Sequence, residues 1–126
     1  MNNSVGVLKK DPNAVMIVVS ECREGVGSSD TDRMLHDFDN AYDREVYTRA
    51  NYTIGLNVAY FLTQYAEDFH VILVSSLDDS LFKKTKIHTA KDVDEAIALA
   101  KKLSGNEHPK TYIMPYAANT CASVKH

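Results

Sequence analysis

The sequence predicts an α/β protein, a three-layer αβα sandwich around a small, mostly parallel sheet that is Rossmann-like. Residues 14–20 and 70–76 are short, largely apolar runs rich in β-branched residues. Such runs are typical of strands buried on both faces. Segments with helical periodicity separate them. This order calls for parallel strands joined by right-handed crossovers, with helices on both faces of the sheet.

Length and charge narrow the function classes. At 126 residues and 44% hydrophobic content, residues 1–126 are expected to form one domain with one core. The net charge of −3, from 14 basic and 17 acidic residues, favours neither nucleic acid nor a membrane surface as a partner. No apolar stretch approaches the roughly 20 residues that span a bilayer, and the amino terminus lacks a signal-peptide core. Because Cys22 and Cys121 are the only cysteines, we expect a cytoplasmic protein without a disulfide framework.

The first elements are predicted to be a helix tail, a strand and a helix. Residues 5–10 have the pattern of a helix end, which Pro12 stops. After the strand at residues 14–20, Ser28 or Ser29 can cap a helix with an acidic first turn. Its core-facing residues are predicted to be Met34, Leu35 and Phe38.

A polar break at residues 39–40 precedes the longest helical signal, over residues 49–68. Side chains at three- and four-residue steps form its predicted buried face. These are Ile54, Val58, Phe61, Leu62 and Tyr65. The second strand, at residues 70–76, then leads into a capping box at residues 76–79.

The remaining elements are a short edge strand, a helix and a third main strand. Residues 86–88 favour the edge strand, and a capping box at residues 89–92 begins a helix that Gly105 ends. The predicted core face of this helix is Val93, Ala96, Ile97, Ala100 and Leu103. Residues 110–115 are predicted as the third strand, and residues 116–120 as the loop that leaves it. Since all three main strands end in polar loops, we expect these loops to converge on one edge of the sheet.

The loop after the first strand is the main candidate for chemistry. Residues 21–28 have the sequence Glu-Cys-Arg-Glu-Gly-Val-Gly-Ser. Gly25 and Gly27 allow close backbone approach, and the amide groups of a helix that starts near Ser28 carry partial positive charge, so the loop could bind an anion. Arg23 could add a bidentate clamp on a carboxylate or phosphate. The spacing matches neither the P-loop nor the dinucleotide fingerprint, and a plain tight turn is the alternative.

Other candidates also have a structural explanation beside the functional one. Cys22 could be a nucleophile, but the sequence places no histidine to act as its base, and a packed cysteine at a strand end is the alternative. Glu21 and Glu24 could act as general acid and base, or could be solvated charges of the loop. Tyr52, with Asn57 within reach, could contact a ligand or simply pack. The five histidines show no metal-ligand spacing.

Residues 14–28, 51–59, 70–76 and 112–120 together closely resemble the carboxyl-terminal domain of the nickel-dependent lactate racemase family, in order and spacing. The loop at residues 21–28 is the most specific part of the match. The resemblance implies a racemase or epimerase of 2-hydroxy acids that uses a nickel pincer nucleotide. This modified pyridinium mononucleotide reversibly accepts the α-hydride of the substrate, while a histidine handles the hydroxyl proton.

The resemblance also implies a division of labour between two domains. In this family the lysine that tethers the cofactor, the histidine that holds nickel and the acid/base histidines lie in an amino-terminal domain. We therefore expect this chain to be the carboxyl-terminal domain of a larger protein, with that cofactor-bearing domain and a small 2-hydroxy acid as partners. The chain alone is predicted to contain no catalytic residue and no metal ligand, to bind neither nickel nor cofactor, and to be inactive. Apolar surface left bare by truncation could drive self-association into a homo-oligomer.

On this resemblance the residues that line the substrate or cofactor are predicted in the first loop and at the start of the long helix. They are Glu21, Arg23, Gly25, Gly27, Ser28, Tyr52 and Asn57. Tyr52 stands roughly where some lactate racemases have a tryptophan, and Asn57 where many relatives have a longer polar residue, so lactate itself is in doubt as the substrate. The competing hypothesis is a stand-alone small-ligand-binding or interaction module that shares the fold without catalysis. A receiver-like signalling domain is disfavoured, because no paired aspartates follow the first strand.

Overall fold

The computed structural model describes residues 2–6, 8, 11–117 and 119–120 of the chain. Its helices and strands follow one another in this order: α1 (Asn2–Val5), β1 (Val15–Val19), α2 (Ser29–His36), α3 (Ala41–Ala50), α4 (Ile54–Asp68), β2 (His70–Val74), a 3₁₀ helix (Asp79–Phe82), β3 (Ile87–Ala90) and α5 (Val93–Ser104). None of the helices among these residues is long and apolar enough to cross a membrane.

The three strands form a parallel sheet in the order β1-β2-β3. The register pairs Val15 with His70 at one end of β1 and Val19 with Val74 at the other. Because the strands run in the same direction, the loops that follow β1 and β2 leave the sheet at the same edge. This edge carries most of the predicted site.

Helices cover both faces of the sheet. On one face α2, α4 and the 3₁₀ helix enclose a core formed by Leu35, Ala66, Val71, Phe82 and Ile87. On the other face α5 encloses a core formed by Ile72, Val74, Ala90 and Ala96. Val71 and Ile72 point to opposite layers because successive side chains of a strand alternate between its faces. The predicted three-layer αβα sandwich with a parallel sheet is confirmed.

A buried arginine holds α3 against the rest of its layer. The Arg44 side chain is 1% exposed, and its Nε donates a hydrogen bond of 3.0 Å to the carbonyl of Met34. One Nη donates to the carbonyl of Phe38 at 2.9 Å and also to that of Lys84. The carbonyl of Met34 lies near the end of α2, that of Phe38 lies just beyond α2, and that of Lys84 follows the 3₁₀ helix. A single guanidinium therefore satisfies the backbone acceptors where three segments meet.

The prediction of a third main strand at residues 110–115 is wrong. Among the described residues this segment joins no sheet, and the side chains of Tyr112 and Ile113 are 70% and 85% exposed. Its apolar residues suit a strand, but a strand also needs a neighbouring backbone to pair with. The third strand is instead Ile87–Ala90, which contains most of the predicted edge strand at residues 86–88. The loop at residues 116–120 therefore follows irregular chain, and the expected convergence of three strand loops is not observed there.

The prediction of a single helix over residues 49–68 is also wrong, because α3 ends at Ala50 and α4 begins at Ile54. The buried residues of α4 are Leu56, Ala59, Thr63 and Ala66. Leu62 and Tyr65 of the predicted face do pack at the core, but Ile54 and Val58 are 77% and 59% exposed. α4 thus turns several small side chains toward its neighbours, which allows a close approach to α2 that larger side chains would prevent.

Several helix ends agree with the sequence and others are displaced. Ser28 caps α2 and Gly105, at φ 65°, ends α5, as predicted. The expected capping boxes at residues 76–79 and 89–92 are displaced, because the capping residues are Asp78 and Asp92. In α5, Val93 and Ile97 of the predicted core face are about half exposed. Of the helix tail predicted at residues 5–10, Val5 is helical and Gly6 lies in a turn, while residues 7, 9 and 10 are outside the described residues.

Candidate functional site

The loop after β1 begins as a continuation of the sheet and then turns sharply. The amide of Ser20 donates to the carbonyl of Val74 at 3.0 Å, so the pairing extends one residue beyond β1. The next turn places Cys22 at φ 49°, a left-handed conformation that is unfavourable for a residue with a side chain. Gly25 and Gly27 have φ of 76° and 84°, which glycine adopts readily. The two glycines are therefore required by the backbone path of the loop.

Two charged side chains of this loop form an ion pair with each other. Arg23 Nε lies 2.7 Å from Glu21 Oε1, and both side chains are largely exposed. The guanidinium has five N–H donors, so one contact through Nε leaves most of its donor capacity for a further acceptor. Glu21 thus restricts the orientation of Arg23 at the surface of the loop.

The loop after β2 is tied to the loop after β1. Ser76 Oγ donates a hydrogen bond of 2.6 Å to the carbonyl of Glu21. No sequence pattern predicts this contact, because a serine at a strand end carries no signal of the backbone that it will meet. It confirms that the loops of the two neighbouring strands meet at one edge.

The amino-terminal ends of α2 and α4 also meet at this edge. Ser28 Oγ accepts the amide of Thr31 and caps α2. Thr53 Oγ1 accepts the amide of Leu56 at 3.0 Å and so caps α4, while it donates to Asp30 Oδ2 at 3.0 Å. The start of α4 is thereby anchored to the first turn of α2. The Asn-Tyr-Thr sequence before Ile54 is the helix-start signal that could have located this junction.

The predicted site residues accordingly fall into two neighbouring groups. Glu21, Arg23, Gly25, Gly27 and Ser28 form the β1–α2 loop and cap. Tyr52 directly precedes the Thr53 cap and is 66% exposed, and the half-buried Asn57 lies in the first turn of α4. The Thr53–Asp30 hydrogen bond connects the second group to the first.

Charge at this edge is mainly negative. Arg23 is accompanied by Glu21 and Glu24 in the loop, and the first turn of α2 contains Asp30 and Asp32. These aspartates already complement the partial positive charge of the helix start. An anion held here would consequently depend on Arg23 and the loop amides rather than on the helix dipole.

A partly enclosed cavity of about 210 Å³ lies beneath the same loop. Ser20, Cys22 and Gly25 contribute to its lining, and its deeper residues belong to the apolar core between the sheet and α2. Cys22 is half-buried, and its Sγ donates to Ser20 Oγ at 3.3 Å. The Cys22 thiol thus has a local hydrogen-bond partner and lies at the wall of the cavity.

A second, more polar depression of about 340 Å³ lies at the ends of β2 and β3, with Asp78, Lys91 and Glu95 at its surface. Asp78 caps the 3₁₀ helix, and the bond to Ser80 lowers the pKa of the Asp78 carboxyl. Glu95 Oε2 accepts the amide of Lys91 at 2.7 Å. Local backbone contacts thus account for Asp78 and Glu95 in this depression.

Among the described residues, no three histidine, cysteine, aspartate or glutamate side chains come together in a way that could hold a metal ion. The donor set of this part of the chain does not fit a nickel site. No contact with nickel is therefore assigned to it.

The comparison with known families decides the identity of the domain. The family model for the lactate racemase C-terminal domain matches residues 5–119. The chain belongs to this family. The match confirms the resemblance drawn from the four sequence segments, and it contains both loops and both helix starts of the edge described above. A search of curated proteins and a search of solved structures gave no significant match.

Membership in this family gives the domain an enzyme context. The candidate residues Glu21, Arg23, Gly25, Gly27, Ser28, Tyr52 and Asn57 all lie within the matched region. In this lactate racemase C-terminal domain, the contacts of Ser76, Thr53 and Asp30 connect the segments of the edge, and no sequence pattern marked these three as site residues.

Proposed function

We propose that this domain forms one wall of the active-site cleft in a racemase or epimerase of 2-hydroxy acids. The family match supports this proposal together with one structural observation, the meeting of the β1 loop, the β2 loop and the start of α4 at one sheet edge. An amino-terminal domain would supply the nickel pincer nucleotide and close against this edge. When bound, that cofactor supplies a reversible acceptor for the α-hydride. Closure of two domains excludes water from such a step.

The residues of this chain would bind and orient rather than react. Arg23 would hold the carboxylate of the substrate or an anionic group of the cofactor, with the amides of residues 25–28 as further donors. Glu21, 2.7 Å from Arg23, would position the guanidinium. Ser28 fixes the start of α2, and the exposed Tyr52 and half-buried Asn57 would shape the neighbouring side of the cleft. We propose a cytoplasmic location, on the cysteine content of the chain.

The first test uses the coding sequence that surrounds this domain. The proposal predicts a larger upstream domain, and it predicts that the complete protein contains nickel and racemises a 2-hydroxy acid. The chain of residues 1–126 alone should do neither. Stoichiometric nickel in the isolated chain, measured by elemental analysis, or turnover by that chain would contradict this division of labour. A complete protein without a further domain would favour the stand-alone binding module.

The second test compares two exposed arginines that each pair with a glutamate. Arg23 pairs with Glu21 at 2.7 Å, and Arg49 pairs with Glu45 at 2.6 Å on α3. In the complete protein Arg23→Gln should lower kcat/KM about 10- to 100-fold, the range expected for one charged hydrogen-bonded contact. Arg49→Gln should leave kcat/KM unchanged. Equal effects of the two substitutions would exclude Arg23 from the cleft.

A further inference from the structure

The cavity beneath the β1 loop is the feature that the proposed anchoring of anions does not use. Its volume is about 210 Å³, and its deep residues include Leu35, Val71 and Phe82, all of which are buried. The cavity is only partly enclosed, so a small group can enter it from solvent and contact its apolar lining. A cavity of this size beside a candidate site is therefore a candidate for an occupant.

The occupant has to be apolar and small. An apolar cavity of about 150 Å³ stays dry and binds benzene, so about 210 Å³ can contain a phenyl ring or a branched alkyl group. A charged or strongly polar group would lose its hydration here, with few partners to replace it. The lining thus selects for a hydrocarbon group of up to roughly the size of a benzyl side chain.

Two residues that line the cavity lie next to the proposed anion anchor in the chain. Cys22 and Gly25 line the cavity, and Arg23 lies between them in the chain. A ligand with a carboxylate at one end and a hydrocarbon group at the other matches this order. The carboxylate would be held at the loop by Arg23 and the hydrocarbon would enter the cavity.

We infer that this cavity receives the side chain of the 2-hydroxy acid, so that the substrates of the proposed racemase have a branched aliphatic or aromatic side chain. This inference rests on the proposed function, because only that function makes the bound acid a substrate. The binding site itself lies within the described chain. The methyl group of lactate would leave most of the cavity empty. Each methylene that fills an apolar pocket changes discrimination about 10- to 200-fold, so size alone separates the two classes.

The experiment measures binding to the isolated chain by methyl NMR titration, with no nickel and no turnover. The probes are 2-hydroxy-3-phenylpropanoate, lactate, and toluene as a probe without a carboxylate. The phenyl acid should bind with a Kd at least about tenfold lower than that of lactate. Its ring protons should show NOEs to the methyl groups of Leu35 and Val71. Toluene should give the same NOEs and should be insensitive to Arg23→Gln. Equal affinity for the phenyl acid and lactate, or the absence of these NOEs, would overturn the inference.

Two cavity-filling variants provide an independent check. Val26 and Leu62 line the cavity, and Val26→Trp or Leu62→Trp should abolish the NOEs and weaken the phenyl acid at least tenfold, without lowering Tm. The control is Val46→Trp, on the exposed side of α3, which should bind like the wild type. If a filled variant with native Tm keeps full affinity, the cavity is not the site. If one variant fails to fold, the other and the NOEs of the wild type decide.

These results are separable from the proposed function. Binding of the phenyl acid in the cavity, together with a complete protein that has no racemase activity, would refute the proposed function and leave the binding site standing. Racemisation by the complete protein without entry of the side chain into the cavity would refute the present inference alone.

Discussion

The hydroxyl of Thr53 donates a hydrogen bond of 3.0 Å to the Asp30 carboxylate while it accepts the amide of Leu56. One side chain thus caps α4 and joins it to the first turn of α2. The two groups of candidate residues lie at or just before the starts of these helices, so this hydrogen bond connects the fold of the layer to the geometry of the site.

Removing the Thr53 hydroxyl should remove both the cap of α4 and the hydrogen bond that joins α4 to α2. Thr53→Val should lower the free energy of unfolding by about 1 kcal/mol, because the cap of α4 and the bond to Asp30 are lost together. Thr53→Ser keeps the hydroxyl and should stay close to the wild type. Urea unfolding measures both variants. Equal losses in the two would show that the hydroxyl contributes nothing.

Gly55 allows the close approach of α4 to the same carboxylate. A Cβ built at Gly55 would lie 2.7 Å from Asp30 Oδ2, which is too close without a shift. Gly55 lies in the first turn of α4, so the advantage of about 1 kcal/mol that alanine has over glycine in a helix interior does not apply here in full. Asp30 Oδ2 ends a flexible side chain and can move away, but only by weakening its hydrogen bond from Thr53. We therefore predict that Gly55→Ala is less favourable in the wild type than in the Asp30→Ala variant. A double-mutant cycle by urea unfolding gives the coupling, and additive effects would contradict the predicted contact.

Arg44 should be among the most sensitive positions for stability. Arg44→Met would leave the carbonyls of Met34, Phe38 and Lys84 without their donor, and unsatisfied buried groups cost about 1–3 kcal/mol each. We expect a loss of about 3 kcal/mol or more. Arg49→Met on the exposed face of the same helix should change stability by less than about 0.5 kcal/mol. Comparable losses for both arginines would argue against the role of Arg44 as a buried donor.

His88 should make stability depend on pH. Burial, with the neighbouring His70 ring, lowers the pKa of His88 in the folded chain. In the unfolded chain a histidine has a pKa near 6.5, at about its ordinary value. As the pH falls below about 6.5, the unfolded state therefore binds more protons than the folded state. The contribution of neutral His88 to the free energy of unfolding is thus complete above that pH and decreases as the pH falls.

The test follows the free energy of unfolding between about pH 7 and pH 5, the window around the ordinary histidine pKa. His88→Gln should decrease more gently than the wild type over this window. Thr89→Ser, on the same strand, changes no titrating group and controls for repacking of β3. If His88→Gln reproduces the slope of the wild type, another group is responsible.

The exposed segment near the carboxyl terminus gives a test of the corrected topology. Ile113 is 85% exposed and Ile87 in β3 is 7% exposed. Ile113→Thr should therefore change stability by less than about 0.5 kcal/mol, whereas Ile87→Thr should cost about 2 kcal/mol or more. A large loss at Ile113 would favour the strand that the sequence pattern predicted at residues 110–115.

Structural features that depend on a few neighbouring residues were predicted well. The β-branched runs gave β1 and β2, Ser28 and Gly105 gave helix ends, and the glycines marked a loop whose backbone needs positive φ at Gly25 and Gly27. For the site, the same local signals placed Arg23 in the loop after β1 and Ser28 at the start of α2. They contained no information about Ser76 or Thr53, because those side chains act on residues that are distant in sequence.

The sequence alone determined the α/β class, the family and the position of the loop at residues 21–28, because apolar runs, caps and a specific motif depend on neighbours along the chain. Only the tertiary structure decided which face of α4 is buried, that Ile87–Ala90 rather than residues 110–115 completes the sheet, and that Asp30 meets Thr53. Those outcomes depend on which surfaces can approach closely and which backbone is available for pairing. Contacts of this kind form between segments that no local pattern connects.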